Sequence, residues 1–116
     1  MGNDERLGAI LADAQQRANE RAARLEAELE ALTNARRSES DDDEHDPEGV
    51  TLSSEWSRLA GLLEAANNEV RQCEDAVQRL ETGGYGVCAT CGEPIPIERL
   101  EARPFAKQCV PCASRR

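Results

Sequence analysis

Aromatic side chains are nearly missing from this chain: its 116 residues include one Phe, one Trp and one Tyr. Aromatics supply much of the buried area of a small core, so a large globular core is not expected. Basic residues are also outnumbered, 14 against 23 acids, for a net charge of −9 at pH 7. Nucleic-acid binders usually present a basic face, because affinity comes largely from neutralising phosphates. Free DNA or RNA is therefore a poor ligand, and partners with basic clefts or bound divalent cations are better ones. No apolar run approaches membrane-spanning length, and the stretch Met1 to Arg6 lacks the apolar segment of a secretory signal. The expectation is a chain without a membrane partner in a reducing cytoplasm, where C-x-x-C pairs mean metal or redox chemistry rather than structural disulfides.

What the chain does contain is Ala, Leu, Glu and Arg, the residues that form helices most readily. Leu7, Leu11, Ala14, Ala18, Ala22, Leu25, Leu29 and Leu32 follow one another at steps of 4, 3, 4, 4, 3, 4 and 3. That spacing predicts an amphipathic helix over about 4–37, with one phase slip at Ala18–Ala22. The small residues in the middle of the stripe would let a partner helix approach closely. A second seam, Trp56, Leu59, Leu63, Ala66, Val70, Cys73, Val77 and Leu80, alternates steps of 3 and 4 throughout. It predicts a coiled-coil helix over about 54–82, closed by Gly83-Gly84. Cys73 falls on that seam, where a small apolar side chain belongs.

Between the two seams, residues 38–53 read as a loop. It holds Glu39, Asp41, Asp42, Asp43, Glu44, Asp46 and Glu48 and neither Lys nor Arg. Asp46-Pro47-Glu48-Gly49 has the residue order of a tight turn, and Ser53 or Ser54 could cap the next helix with Glu55 near its positive end. His45 is a solvated loop residue on this reading. Two striped helices joined by a loop bury their stripes most simply against each other, as an antiparallel hairpin. Pairing between two chains is the rival, since a loop of this length is long for a helix connection.

The strongest chemical signal comes last. Cys88-Ala89-Thr90-Cys91 and Cys109-Val110-Pro111-Cys112 are two C-x2-C pairs separated by seventeen residues. Zinc takes four tetrahedral ligands and favours thiolate, and each pair can close a knuckle that offers two. Gly92 suits the turned backbone of such a knuckle. Two redox pairs or an iron–sulfur cluster are the alternatives, but no thiol is singled out for activation. Four protein thiolates would make the zinc structural. Tyr85, Val87, Ile95, Ile97, Leu100 and Phe105 are too few to fold this segment by burial alone, so metal binding would supply much of its stability. A short helical turn is expected over 96–102.

Read together, Gly83-Gly84-Tyr85-Gly86-Val87-Cys88, Cys91-Gly92, Ile95, Arg99-Leu100, Ala102, Pro104 and Cys109-x-x-Cys112 resemble the zinc finger of the DksA/TraR family. The helix–acidic loop–helix before it is similar to that family's coiled coil. The resemblance implies a bacterial transcription regulator that binds RNA polymerase rather than promoter DNA. Its coiled coil would enter the secondary channel with acidic tip residues near the active centre, where hard oxygen donors suit Mg²⁺. The best-known members carry D-x-x-D-x-A at that tip. Asp43 and Asp46 match both Asp positions, and Glu48 stands where Ala is expected. Larger members continue into a C-terminal helix on which part of their response to ppGpp depends. Four residues follow Cys112 here, so that response is not expected to carry over.

The expected fold is therefore mainly all-α, a long antiparallel helical hairpin (1–82) followed by a four-cysteine zinc finger (83–116). The expected sites are Cys88, Cys91, Cys109 and Cys112 for one structural zinc, and Asp43, Asp46 and Glu48 for contact with RNA polymerase by a monomer. No nucleophile–base arrangement suggests an enzyme. Two other readings stay open: a zinc-ribbon module for nucleic acid, with Arg103, Lys107, Arg115 and Arg116 as its mild positive face, and an adaptor that dimerises through the Trp56–Leu80 seam.

Overall fold

The computed structural model describes residues 2–40 and 47–115, with side chains over 4–38 and 51–115. Four helices follow one another: α1 Gly2–Ser40, α2 Pro47–Thr82, α3 Ile97–Ala102 and α4 Val110–Ser114. Among the described residues no strand forms, and the only extended pairing is an isolated antiparallel bridge between Val87 and Pro94. The mainly helical class read from the two stripes is the observed one.

Helix α2 begins at Pro47 rather than near residue 54, and α1 runs on to Ser40. Most of the expected loop over 38–53 is therefore helical. Proline fixes the φ of a first helical turn and has no N–H to leave orphaned there, so Pro47 starts a helix where the sequence reading gave it a turn. Residues 41–46, with Asp43, His45 and Asp46, lie outside the described residues. Glu48 lies within α2.

The chain divides into two compact units. The first comprises Met1–Arg17 and Val70–Arg116, the second Ala18–Glu69. Within the first unit the finger shares a core with parts of both long helices. Leu11, Ala76, Tyr85, Cys88, Ile95, Leu100 and Cys112 form one buried cluster, and Leu7, Ile10, Val77, Leu80 and Phe105 pack against it. The finger's own apolar residues could not close such a core, and Val87 does not join it, being 38% exposed. Leu7 and Leu11 from α1 and Ala76 from α2 complete it. Cys73 is 0% exposed, as its place on the seam implied.

The join from α2 to the finger is a C-terminal cap. Gly83 takes a φ of +87°, and the Gly84 and Tyr85 amides both donate to the Arg79 carbonyl, at 2.7 and 3.1 Å. A left-handed glycine with bonds back to the last turn satisfies carbonyls that the helix end would otherwise orphan. Gly86, at φ +84°, sits under Leu7 and Leu100, where an added Cβ would lie 3.2 Å from Leu7 Cδ1.

In the second unit α1 and α2 run antiparallel. Arg21 pairs with Glu69 and Thr33 meets Trp56. Ala18, Ala22 and Leu25 are buried from α1, Leu59 and Ala66 from α2. Both residues of the 4-residue step at Ala18–Ala22 are buried, because alanine is small enough to stay beneath the neighbouring helix despite the phase slip.

Candidate metal centre

Two turns carry the four sulfurs. In the first, the Cys88 amide donates to the Glu93 carbonyl (2.8 Å), the Gly92 amide donates to the Cys88 carbonyl (2.9 Å), and the Cys91 amide points at Cys88 Sγ (3.5 Å). Gly92 has a φ of +78°, the left-handed conformation that lets the chain turn back after Cys91. In the second, Cys109 is the N-cap residue of α4 with Pro111 in the first turn, and the Ala113 amide donates to the Cys109 carbonyl at 2.9 Å. Proline suits the start of a helix, so the second C-x2-C is wound into one short turn.

The turns are braced against each other. The Ala89 amide donates to the Lys107 carbonyl (2.8 Å), and Gln108 Nε2 donates to Thr90 Oγ1 (2.8 Å). From α3, Arg99 Nε donates to the Gln108 carbonyl at 2.9 Å. Tyr85 Oη donates to the Pro104 carbonyl at 2.7 Å, while the Arg79 guanidinium lies 5.6 Å from the ring centroid. Lys107, counted among the finger's positive residues, lies 3.8 Å from Asp75. Sequence reasoning did not find this bracing. Gln108, Thr90 and Arg99 are ordinary polar residues with no spacing signature, and only their partners identify them.

The four sulfurs fit zinc. Around a tetrahedral ion with Zn–S bonds of about 2.3 Å, neighbouring sulfurs stand about 3.8 Å apart. Cys91 Sγ and Cys109 Sγ are 3.8 Å apart, and all four ligand atoms lie within 4.8 Å of one another. Such convergence does not suit two separate redox pairs. Cys88, Cys91, Cys109 and Cys112 would fill the tetrahedron and leave no position for water or substrate, which makes the zinc structural. Cys88 and Cys112 are buried, Cys109 is half-buried and Cys91 is exposed.

Backbone amides, neighbouring thiols and burial set the acidity of these thiols in opposite directions. The Cys91 and Cys109 amides beside Cys88 lower its pKa to about 6. The Cys109 thiol and burial push Cys112 up to about 12. A divalent cation resolves the conflict by stabilising thiolates that would otherwise repel one another. Because Cys88 is depressed in the folded chain, the stabilisation from its thiolate is present above its ordinary value and disappears as pH falls through about 6. Protons also compete with zinc for every ligand. Zinc should therefore stay bound at pH 7 and be released progressively as the solution is acidified, as read by a colorimetric indicator of free zinc. Full retention at pH 3 would contradict a tetrathiolate site.

Residues 83–116 match the family model described as the prokaryotic dksA/traR C4-type zinc finger. Over 43 residues the chain is 44% identical to the RNA polymerase-binding transcription factor DksA of Haemophilus influenzae, covering 37% of this chain and 30% of that protein. Over 68 residues it is 34% identical to General stress protein 16O of Bacillus subtilis, covering 59% and 42%. These matches span well under half the length of those relatives. The structure of transcription factor DksA2 from Pseudomonas aeruginosa has the same fold, with a TM-score of 0.61 at 24% identity, covering 90% of this chain and 81% of that one. The finger outlined by the sulfur geometry, residues 83–116, is thus of the dksA/traR C4 type.

Proposed function

We propose that this protein is a non-catalytic transcription regulator that binds bacterial RNA polymerase and brings its acidic segment, with Asp43, Asp46 and Glu48, into the secondary channel. The observation that carries this reading is the finger, whose relatives include proteins named for binding RNA polymerase. Charge supports it. From residue 38 to residue 57 there is neither Lys nor Arg. Arg58, the next base, is paired with Glu55, whose carboxyl it holds below its ordinary value. The segment therefore presents carboxylates with little local neutralisation, the chemistry that a Mg²⁺-bearing catalytic centre attracts. Placing carboxylates near such a centre needs no covalent step. The protein would act as a monomer in the cytoplasm, on the polymerase and not on promoter DNA.

The test is co-purification with cognate RNA polymerase, followed by transcription assays that compare the parent with Asp43→Asn/Asp46→Asn. The double variant is expected to bind as the parent does and to lose most of its regulatory effect. Equal regulation by both would remove the acidic segment from the mechanism. Failure of the parent to bind would remove the function, and salt-sensitive retention on DNA would favour the nucleic-acid reading instead.

A further inference from the structure

The second unit changes character along its length. Its buried residues are Ala18, Ala22 and Leu25 from α1 and Leu59 and Ala66 from α2. Beyond Leu25 in α1 and before Leu59 in α2, every described side chain is half-buried or exposed. Apolar burial therefore thins toward the ends of the two helices that flank residues 41–46. What remains there is a set of half-buried leucines, Leu29, Leu32 and Leu52 among them, together with one polar, directional contact. Trp56 Nε1 donates to Thr33 Oγ1 at 2.9 Å, and Thr33 Oγ1 donates to the Leu29 carbonyl of its own helix at 2.8 Å.

The order of these bonds matters. A hydroxyl has one hydrogen to give and lone pairs to receive with. By giving its hydrogen to Leu29, Thr33 fixes the rotation of the hydroxyl and turns a lone pair toward α2. Indole can only donate, and Trp56 is the chain's single Trp. The pair is therefore specific in direction, register and partner. A sliding of α2 against α1 by one turn, about 5.4 Å, would break it. Apolar contacts of half-buried leucines would tolerate such a shift far better, because they have no angular requirement.

We propose that Thr33 and Trp56 are positioning residues. Their hydrogen bond sets the register of the two helix ends and so determines where the acidic segment between them is presented. The inference rests on the function proposed above. It concerns the size of the regulatory effect and leaves polymerase binding and zinc content untouched.

Four variants test it: Thr33→Val, which keeps the shape and removes the hydroxyl; Thr33→Ser, which restores it; Trp56→Phe, which keeps an aromatic ring without the N–H; and Asp43→Asn/Asp46→Asn as the reference. Each is assayed for zinc content, for affinity to RNA polymerase and for maximal effect on transcription at saturating protein. Spin labels at Asn34 and Ser57, both exposed, report the spacing of the helices. Thr33→Val and Trp56→Phe should retain zinc and affinity, broaden the label distance distribution, and lower the maximal effect by about fivefold, the order expected from one net hydrogen bond. Thr33→Ser should behave as the parent.

The proposal is overturned if Thr33→Val regulates as the parent does while the Asp43→Asn/Asp46→Asn variant fails to, an outcome that leaves the proposed function standing. It is equally overturned if Thr33→Ser loses as much as Thr33→Val, or if the distance distribution is unchanged in both bond-breaking variants. A parent that does not bind polymerase defeats the function and this inference together.

Discussion

A Cys112→Ser variant is expected to lose zinc affinity by more than a hundredfold and, with it, the packing of the finger. Cys112 is at once a metal ligand and a member of the buried cluster with Leu11, Ala76, Tyr85, Cys88, Ile95 and Leu100. Removing its thiolate takes away one of four ligands, a larger change than the outer-shell losses that already cost roughly 10–100-fold. Serine also leaves a hydroxyl in an apolar cluster, at a cost of about 1–3 kcal/mol when it lacks a partner. Cys91→Ser removes a ligand too, but at an exposed position. It should weaken zinc binding without the second penalty. Zinc titration, with hydrogen exchange at Leu11, Tyr85 and Leu100, separates the two. Equal loss of protection in both variants would mean that the cluster depends on the ion alone.

Gly86→Ala should destabilise the finger by about 2–4 kcal/mol. About 1–2 kcal/mol comes from placing a Cβ at a left-handed backbone position. The rest comes from the close approach to Leu7 Cδ1 at 3.2 Å, a modest case of overpacking. Gly92 provides the control. Its φ is +78°, yet nothing lies within 4 Å of an added Cβ, so Gly92→Ala should show only the backbone part. Combining Gly86→Ala with Leu7→Ala should recover the steric part, and the coupling between the two substitutions measures it. Denaturant melts of the zinc-loaded proteins give all of these values. Identical costs at Gly86 and Gly92 would show that the Leu7 contact carries no strain.

The metal ligands were legible because thiolate pairs at knuckle spacing have few other uses, and the helices because alanine and leucine repeat at helical steps over tens of residues. Leu7, Leu11, Ala66 and Cys73 all lie on stripes that periodicity identifies. What periodicity does not encode is the destination of a stripe. The stripe sets Leu7 and Leu11 against a partner helix, yet they also roof the finger, because a six-residue apolar set cannot enclose Cys88 and Cys112 without help. Ala76 is invisible to the stripe because it lies beside the seam, and Val87 is apolar yet exposed, because hydrophobicity does not encode which side of a bridge faces solvent. The start of α2 is not legible in the sequence, because Pro47 suits a turn and a first helical turn equally well. Thr33 gave no signal at all; its role depends on an indole twenty-three positions away.

The unequal depth of the four sulfurs has a further consequence. Cys88 and Cys112 lie inward and Cys91 lies outward, so an incoming ion or an attacking chelator meets the centre from one side. Capture would begin at the outer thiol and finish at the inner pair, and extraction would retrace that order, making Cys91 the doorway through which metal traffic passes.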